Sequence, residues 1–141
     1  MSNEDNFKAY EAKMRENINR VYVAANQVIN YTIKEMYKKI IDRTPLGNPA
    51  LWKYPAPANY TPGQLKDGWK IKYSNGSEIK LTSSTDSQTV TISNDVIYGP
   101  RIEYGSWSTQ APQGMMRITI TEYTTILNQK TAQYGVKSSW V

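Results

Sequence analysis

The sequence contains no cysteine and no histidine. Their absence excludes disulfides, thiol nucleophiles, Ser-His triads and His-ligated metals such as most catalytic zinc sites. Phenylalanine is nearly missing as well, with one residue against 11 tyrosines. No apolar run approaches the roughly 20 residues that a membrane helix needs. The opening MSNEDNFKAYE is polar and acidic and lacks the apolar stretch of a secretory signal. The expectation is synthesis in a cytoplasm, with no membrane contact. Acids are the minority charge, 12 against 17 Lys plus Arg, and they are scattered along the chain without a tight carboxylate cluster. Chemistry would have to rest on isolated carboxylates, Lys, Tyr, Ser and Thr, which speaks against an enzyme. No cofactor and no metal is expected.

What remains is 141 residues, 39% of them apolar, enough for one domain with a modest core. Tyrosine joins an apolar ring to a polar tip. A Tyr-for-Phe bias suits subunit contacts; a core with wet edges explains it as well. The net charge of +5 permits contact with nucleic acid but does not require it.

Residues 6–42 read as one long helix. Phe7, Tyr10, Met14, Ile18, Val21, Ala25, Val28, Thr32, Met36 and Ile40 recur at steps of three and four, with no Gly or Pro between them. Asn3 or Asn6 supplies an N-cap, Glu4 and Asp5 suit the first turn, and Thr44-Pro45 ends the helix. Such a helix is about 54 Å long, more than the width of the domain. Either it is broken, or part of it projects and packs on a neighbour. Tyr22, Ile29, Ile33, Tyr37 and Ile41 widen the apolar face in the C-terminal half, which is therefore the half expected in the core.

Residues 44–66 form a long irregular loop holding five of the seven prolines and the apolar residues Leu46, Leu51, Trp52, Tyr54 and Tyr60. It either folds back over its own core or acts as an arm that grips a neighbouring subunit, stiffened by proline. Three strands follow, over 69–73, 78–82 and 88–93, with a hairpin turn at Ser74-Asn75-Gly76-Ser77. Their alternation turns Trp69, Ile71, Tyr73, Ile79, Leu81, Val90 and Ile92 toward the helix. Residues 117–121 alternate like a strand, yet Met116, Ile120, Tyr123, Leu127, Thr131 and Tyr134 make a helical stripe. The uninterrupted length from Met115 to Tyr134 favours a helix. Residues 135–141 read as a flexible tail unless Trp140 docks on a partner. The fold class is α+β: a long N-terminal helix and a C-terminal helix packed on a small antiparallel sheet, with a long Pro-rich loop, in one domain over 1–141.

The segment Asp95–Arg117, DVIYGPRIEYGSWSTQAPQGMMR, carries the most information. It sets two tyrosines and a tryptophan among glycines and prolines, with Arg101 and Glu103 close together. Turn-forming residues around aromatic anchors describe a shaped contact surface. The run Tyr98-Gly99-Pro100-Arg101-Ile102-Glu103-Tyr104-Gly105, a polar loop, and then Ala111-Pro112-Gln113-Gly114-Met115-Met116-Arg117 resembles the tail-completion or neck-protein family of tailed bacteriophages. In that family a Tyr-Ala-x-x-x-Glu-x-Gly element precedes a Pro-initiated helix; Gly99 stands here for Ala. Thr44-Pro45 and, after an insertion, Thr61-Pro62-Gly63-Gln64-Leu65-Lys66-Asp67-Gly68-Trp69 resemble the family's Thr-Pro-x-x-Thr-Gly-x-Leu-x-x-Ser-Trp. Pro62 splits the Thr-Gly step, and Gly68 replaces Ser.

The resemblance implies a structural virion protein, placed at the neck. It implies assembly into a hexameric or dodecameric ring that joins or seals the head and its portal or connector to the tail, with partners among portal and tail proteins and nonspecific contact with DNA in the channel. A closed ring needs two different patches on each subunit. The candidates are Trp52, Tyr54 and Tyr60 in the arm, and Tyr98, Arg101, Glu103, Tyr104, Gly105, Trp107, Met115 and Arg117 in the second segment. Glu103 is expected to be a buried acceptor for Arg101 or Arg117, or else an ordinary exposed glutamate, and Gly105 to adopt positive φ. The alternative is a small basic nucleic-acid-binding protein using Lys34, Lys38, Lys39 and Arg43 at one helix end and Lys70, Lys72 and Lys80 on the strands, or else these form a solvated face.

Overall fold

The computed structural model describes residues 2–46, 55, 58, 61–104 and 111–137. The expectations for Trp52, Tyr54, Tyr60, Gly105, Trp107 and Trp140 lie outside them. Helix α1, Asn3–Arg43, is unbroken. Its N-cap is Ser2, not Asn3 or Asn6: the Ser2 hydroxyl accepts from the Asp5 backbone N–H at 3.2 Å. The first half of α1 is exposed, whereas Ala24, Val28, Thr32 and Ile40 are buried. The C-terminal half thus holds the core, as its wider apolar face implies.

Helices α2 (Gln64–Asp67) and α3 (Gly99–Tyr104) flank the sheet, and the chain ends in α4 (Met116–Thr121) and α5 (Tyr123–Tyr134). The expected loop over 44–66 therefore ends in a short helix. The expected C-terminal helix is divided at Glu122, whose N–H turns back to the Thr119 carbonyl. Its buried face also differs from the apolar stripe. Ile120 and Tyr123 are exposed, and Met115, Thr119 and Ile126 are inside. The reason is the antiparallel contact with α1. Tyr134 stacks on Tyr31 at 4.4 Å between ring centres. Lys130 meets Glu35 at 3.5 Å, and Glu122 meets Lys39 at 3.4 Å and Arg43. Thr119 accepts from Arg43 at 2.9 Å. Residues 31, 35, 39 and 43 are one helical ridge at four-residue spacing. It is matched by mixed polar and aromatic partners, so hydrophobicity alone does not mark the face.

The sheet has two strands, β1 (Trp69–Tyr73) and β2 (Val90–Asn94), antiparallel in the register Trp69↔Asn94 through Tyr73↔Val90. Residues 78–82, expected as the middle strand, are not in it. Their backbone is held by side-chain carboxamides instead. Asn30 exchanges both hydrogen bonds with Ile79, each at 2.8 Å. Asn26 does the same with Leu81 at 3.0 and 2.8 Å. Gln88 does so with Lys80 from the opposite side, at 2.6 and 2.9 Å. Alternation is preserved, with Ile79 buried and Lys80 exposed, but the partner is a helix.

β1 is tied to the end of α1. Thr44, buried at 3% exposure, gives its hydroxyl proton to the Ile40 carbonyl and accepts the Trp69 indole N–H at 2.7 Å. The Tyr37 hydroxyl donates to the Trp69 carbonyl at 2.9 Å. The Thr44-Pro45 and Trp69 motifs, far apart in sequence, are one junction.

Candidate subunit-contact site around Glu103

The site is built on a local core of Leu65, Tyr98, Ile102, Ala111 and Met115, with Trp69 and Val96 packed against it. Helix α3 is short and draws its position from these contacts and from Gly99, where a Cβ would sit 3.4 Å from Leu65. Its inward residues, Ile102 and Glu103, are buried; its outward residues, Arg101 and Tyr104, are exposed.

Glu103 caps α4 from a distance. One carboxylate oxygen accepts the N–H groups of Met115 at 2.6 Å and Met116 at 3.0 Å, and the other accepts the N–H of Arg117 at 2.7 Å. These are donors that a helix N-terminus leaves without intrahelical partners. The Arg117 guanidinium lies 3.4 Å from the carboxylate and also donates to the Glu103 carbonyl. It covers the Tyr104 ring at 4.9 Å. Burial raises the pKa of the Glu103 carboxyl, but the three backbone donors and the Arg117 charge outweigh it, so the net shift is downward. Arg117, one of the two arginines considered from sequence, makes this contact.

The clasp depends on Gly114, a residue sequence reasoning missed. Its φ is +82°, and a Cβ there would lie 2.7 Å from the Glu103 carboxylate and 2.8 Å from the Glu103 carbonyl oxygen. The available signal was the Pro-Gln-Gly turn ahead of the last periodic segment.

Tyr98, Glu103 and Met115 are between 2% and 8% exposed, so their surface is spent inside the chain. Tyr104, by contrast, is 69% exposed, and Ile97, which the sequence did not single out, is 88% exposed. Arg101, Tyr104 and Arg117 are therefore outward, and Tyr98, Glu103 and Met115 support them from beneath. An open cavity of about 160 Å³ lies beside α3, lined by Leu65, Trp69, Pro100, Tyr104 and Met116 among others. Among the described residues no cluster of acids is placed to hold a metal.

The basic groups do not form one free patch. Lys39 and Arg43 are engaged by Glu122, Lys70 by Asp95 at 3.1 Å, and Lys34 lies 5.5 Å over the Tyr31 ring. Among the described residues no helix is long and apolar enough to cross a membrane. In comparisons with known proteins, no family model, no curated protein and no solved structure matches the chain.

Proposed function

We propose that the chain is a structural virion protein of a tailed phage. It would form a ring at the neck that joins or seals the head and connector to the tail. The observation that carries this reading is the Glu103 clasp. It joins the Tyr98-to-Glu103 element to the Gly114-to-Arg117 element, the two halves of the segment that resembles the neck family. It also makes a rigid base under the exposed Ile97 and Tyr104. Side chains presented from a locked base lose little freedom on docking, which favours a specific protein contact. Tyrosine and arginine, the residue types on this surface, commonly anchor interfaces. The nucleic-acid reading has less support, because four of its seven candidate cations already have partners within the chain.

The test is electron microscopy of lysates from a phage lacking this gene. DNA-filled or leaking heads beside unattached tails are expected. Normal infectious particles would refute the proposal. Complementation with Tyr104→Ala and Ile97→Glu separates contact from folding: both chains should fold, and both should fail to restore joined particles.

A further inference from the structure

The exposed half of α1 carries an apolar stripe that the neck reading does not use. Phe7, Tyr10, Met14, Ile18 and Val21 lie on one face, each between 40% and 66% exposed. Farther along α1 the same face goes into the core at Val28 and Thr32. Beside and behind the stripe, charges are paired within the helix as Glu4–Lys8, Glu11–Arg15 and Glu16–Arg20. The arm therefore has a solvated face of its own and an apolar face that ends in water.

Two properties of this stripe identify its occupant. First, its spacing is three, four, four, three, which reads the same in both directions. If two copies cross antiparallel about Met14, Phe7 meets Val21, Tyr10 meets Ile18, and Met14 meets Met14. Each bulky aromatic then faces a smaller β-branched residue, the alternation that lets two surfaces interdigitate. Second, the arm is a charge dipole. About Met14, Glu4, Asp5 and Glu11 against Lys8 and Lys13 leave residues 3–13 at −1, and Arg15 and Arg20 against Glu16 leave residues 15–25 at +1. Antiparallel copies bring the acidic half of each against the basic half of the other and oppose their helix dipoles favourably. Parallel copies would set like halves together.

We infer that the face Phe7–Val21 of α1 binds a second copy of this chain, antiparallel, about a two-fold axis at Met14. The five side chains expose roughly 500 Å² per copy, so a pair removes about 1,000 Å² from water, the size at which specific interfaces begin. A contact of that size makes a reversible dimer whose population rises with concentration. The inference is independent of the neck reading, because it concerns a different surface and isolated protein.

The full-length chain is examined by sedimentation velocity across the micromolar to near-millimolar range, beside Met14→Glu, which sets two carboxylates face to face at the axis. Met14 is exposed, so far-UV circular dichroism and the thermal midpoint of the variant should match the parent. The expected result is a monomer–dimer equilibrium whose dissociation constant rises about tenfold or more in the variant. Orientation is read by single cysteines, since the chain has none of its own. Met14→Cys should cross-link to itself on mild oxidation and Phe7→Cys should not. A monomer at every concentration would overturn the inference. So would an assembly that Met14→Glu leaves unchanged, or self-cross-linking of Phe7→Cys equal to that of Met14→Cys.

Discussion

Replacing Glu103 by glutamine tests the clasp with almost no change of shape. The carboxylate has two oxygens in use: one takes Met115 and Met116, the other takes the N–H and side chain of Arg117. A carboxamide keeps one oxygen. If that oxygen stays on Met115 and Met116, the NH₂ group faces the Arg117 N–H and the guanidinium, donor against donor. One charge-assisted bond is lost outright and two are weakened to neutral ones, at a cost of about 2–4 kcal/mol. Urea unfolding measures it as a fall in midpoint at constant slope. The pH dependence gives a second, sharper check. The folded-state pKa of Glu103 is lowered, so the unfolded chain binds the proton more readily. The stabilisation is complete above the ordinary glutamate pKa and is lost as pH falls through the lowered one. The gap between parent and Glu103→Gln should be full at neutral pH and close as pH drops through that window. Asp86 and Glu122, also lowered, act equally in both chains and cancel. A gap under about 0.5 kcal/mol at neutral pH, the size of an ordinary surface substitution, or one that persists undiminished in acid, would refute the reasoning.

Gly114→Ala should cost about 2 kcal/mol or more, because it adds left-handed backbone strain to a collision with Glu103; Gly76→Ala, at φ +108° with open space around it, should cost only the strain. The difference between the two urea midpoints is the measurement. Asn30→Ala strips partners from the buried N–H and C=O of Ile79 and should destabilise by about 2–4 kcal/mol, read by thermal melting. Trp69→Phe removes the indole donor to Thr44 and part of the ring volume packed against the local core, and should cost about 2–3 kcal/mol, with β1 amides exchanging faster than those of α5.

Much of this architecture can be read from the residues. Uninterrupted three-and-four spacing specifies α1, and the widening of its apolar face marks the half that is buried. Alternation identifies strands over 69–73 and 88–93; the first matches β1, and the second is shifted in the structure to Val90–Asn94. Glu103 is marked by its nearness to Arg101 and by the family resemblance, whereas composition alone makes an exposed glutamate the commoner case. The misses share a cause: polar groups that pair across elements are invisible to an apolar count. Asn26 and Asn30 look like breaks in a stripe, yet they are the partners of Leu81 and Ile79. Thr119 is fully buried because its hydroxyl donates to the Met115 carbonyl and accepts from Arg43, so it packs where the pattern asks for a hydrophobe. Glu122 and Lys130 face α1, not water, for the same reason. Gly114 could be suspected of a turn, but its closeness to Glu103 is a property of three dimensions.

The three carboxamides over 79–81 also bear on how this segment can meet another chain. A five-residue stretch with strand periodicity beside a two-stranded sheet is the sort of segment that recruits another chain by backbone pairing. Here the peptide groups of Ile79 and Leu81 are occupied on one side by α1, and those of Lys80 on the other by Gln88. Both edges are closed by side chains that cannot propagate a ladder. The segment thus keeps the packing advantages of a strand while offering no template for uncontrolled growth.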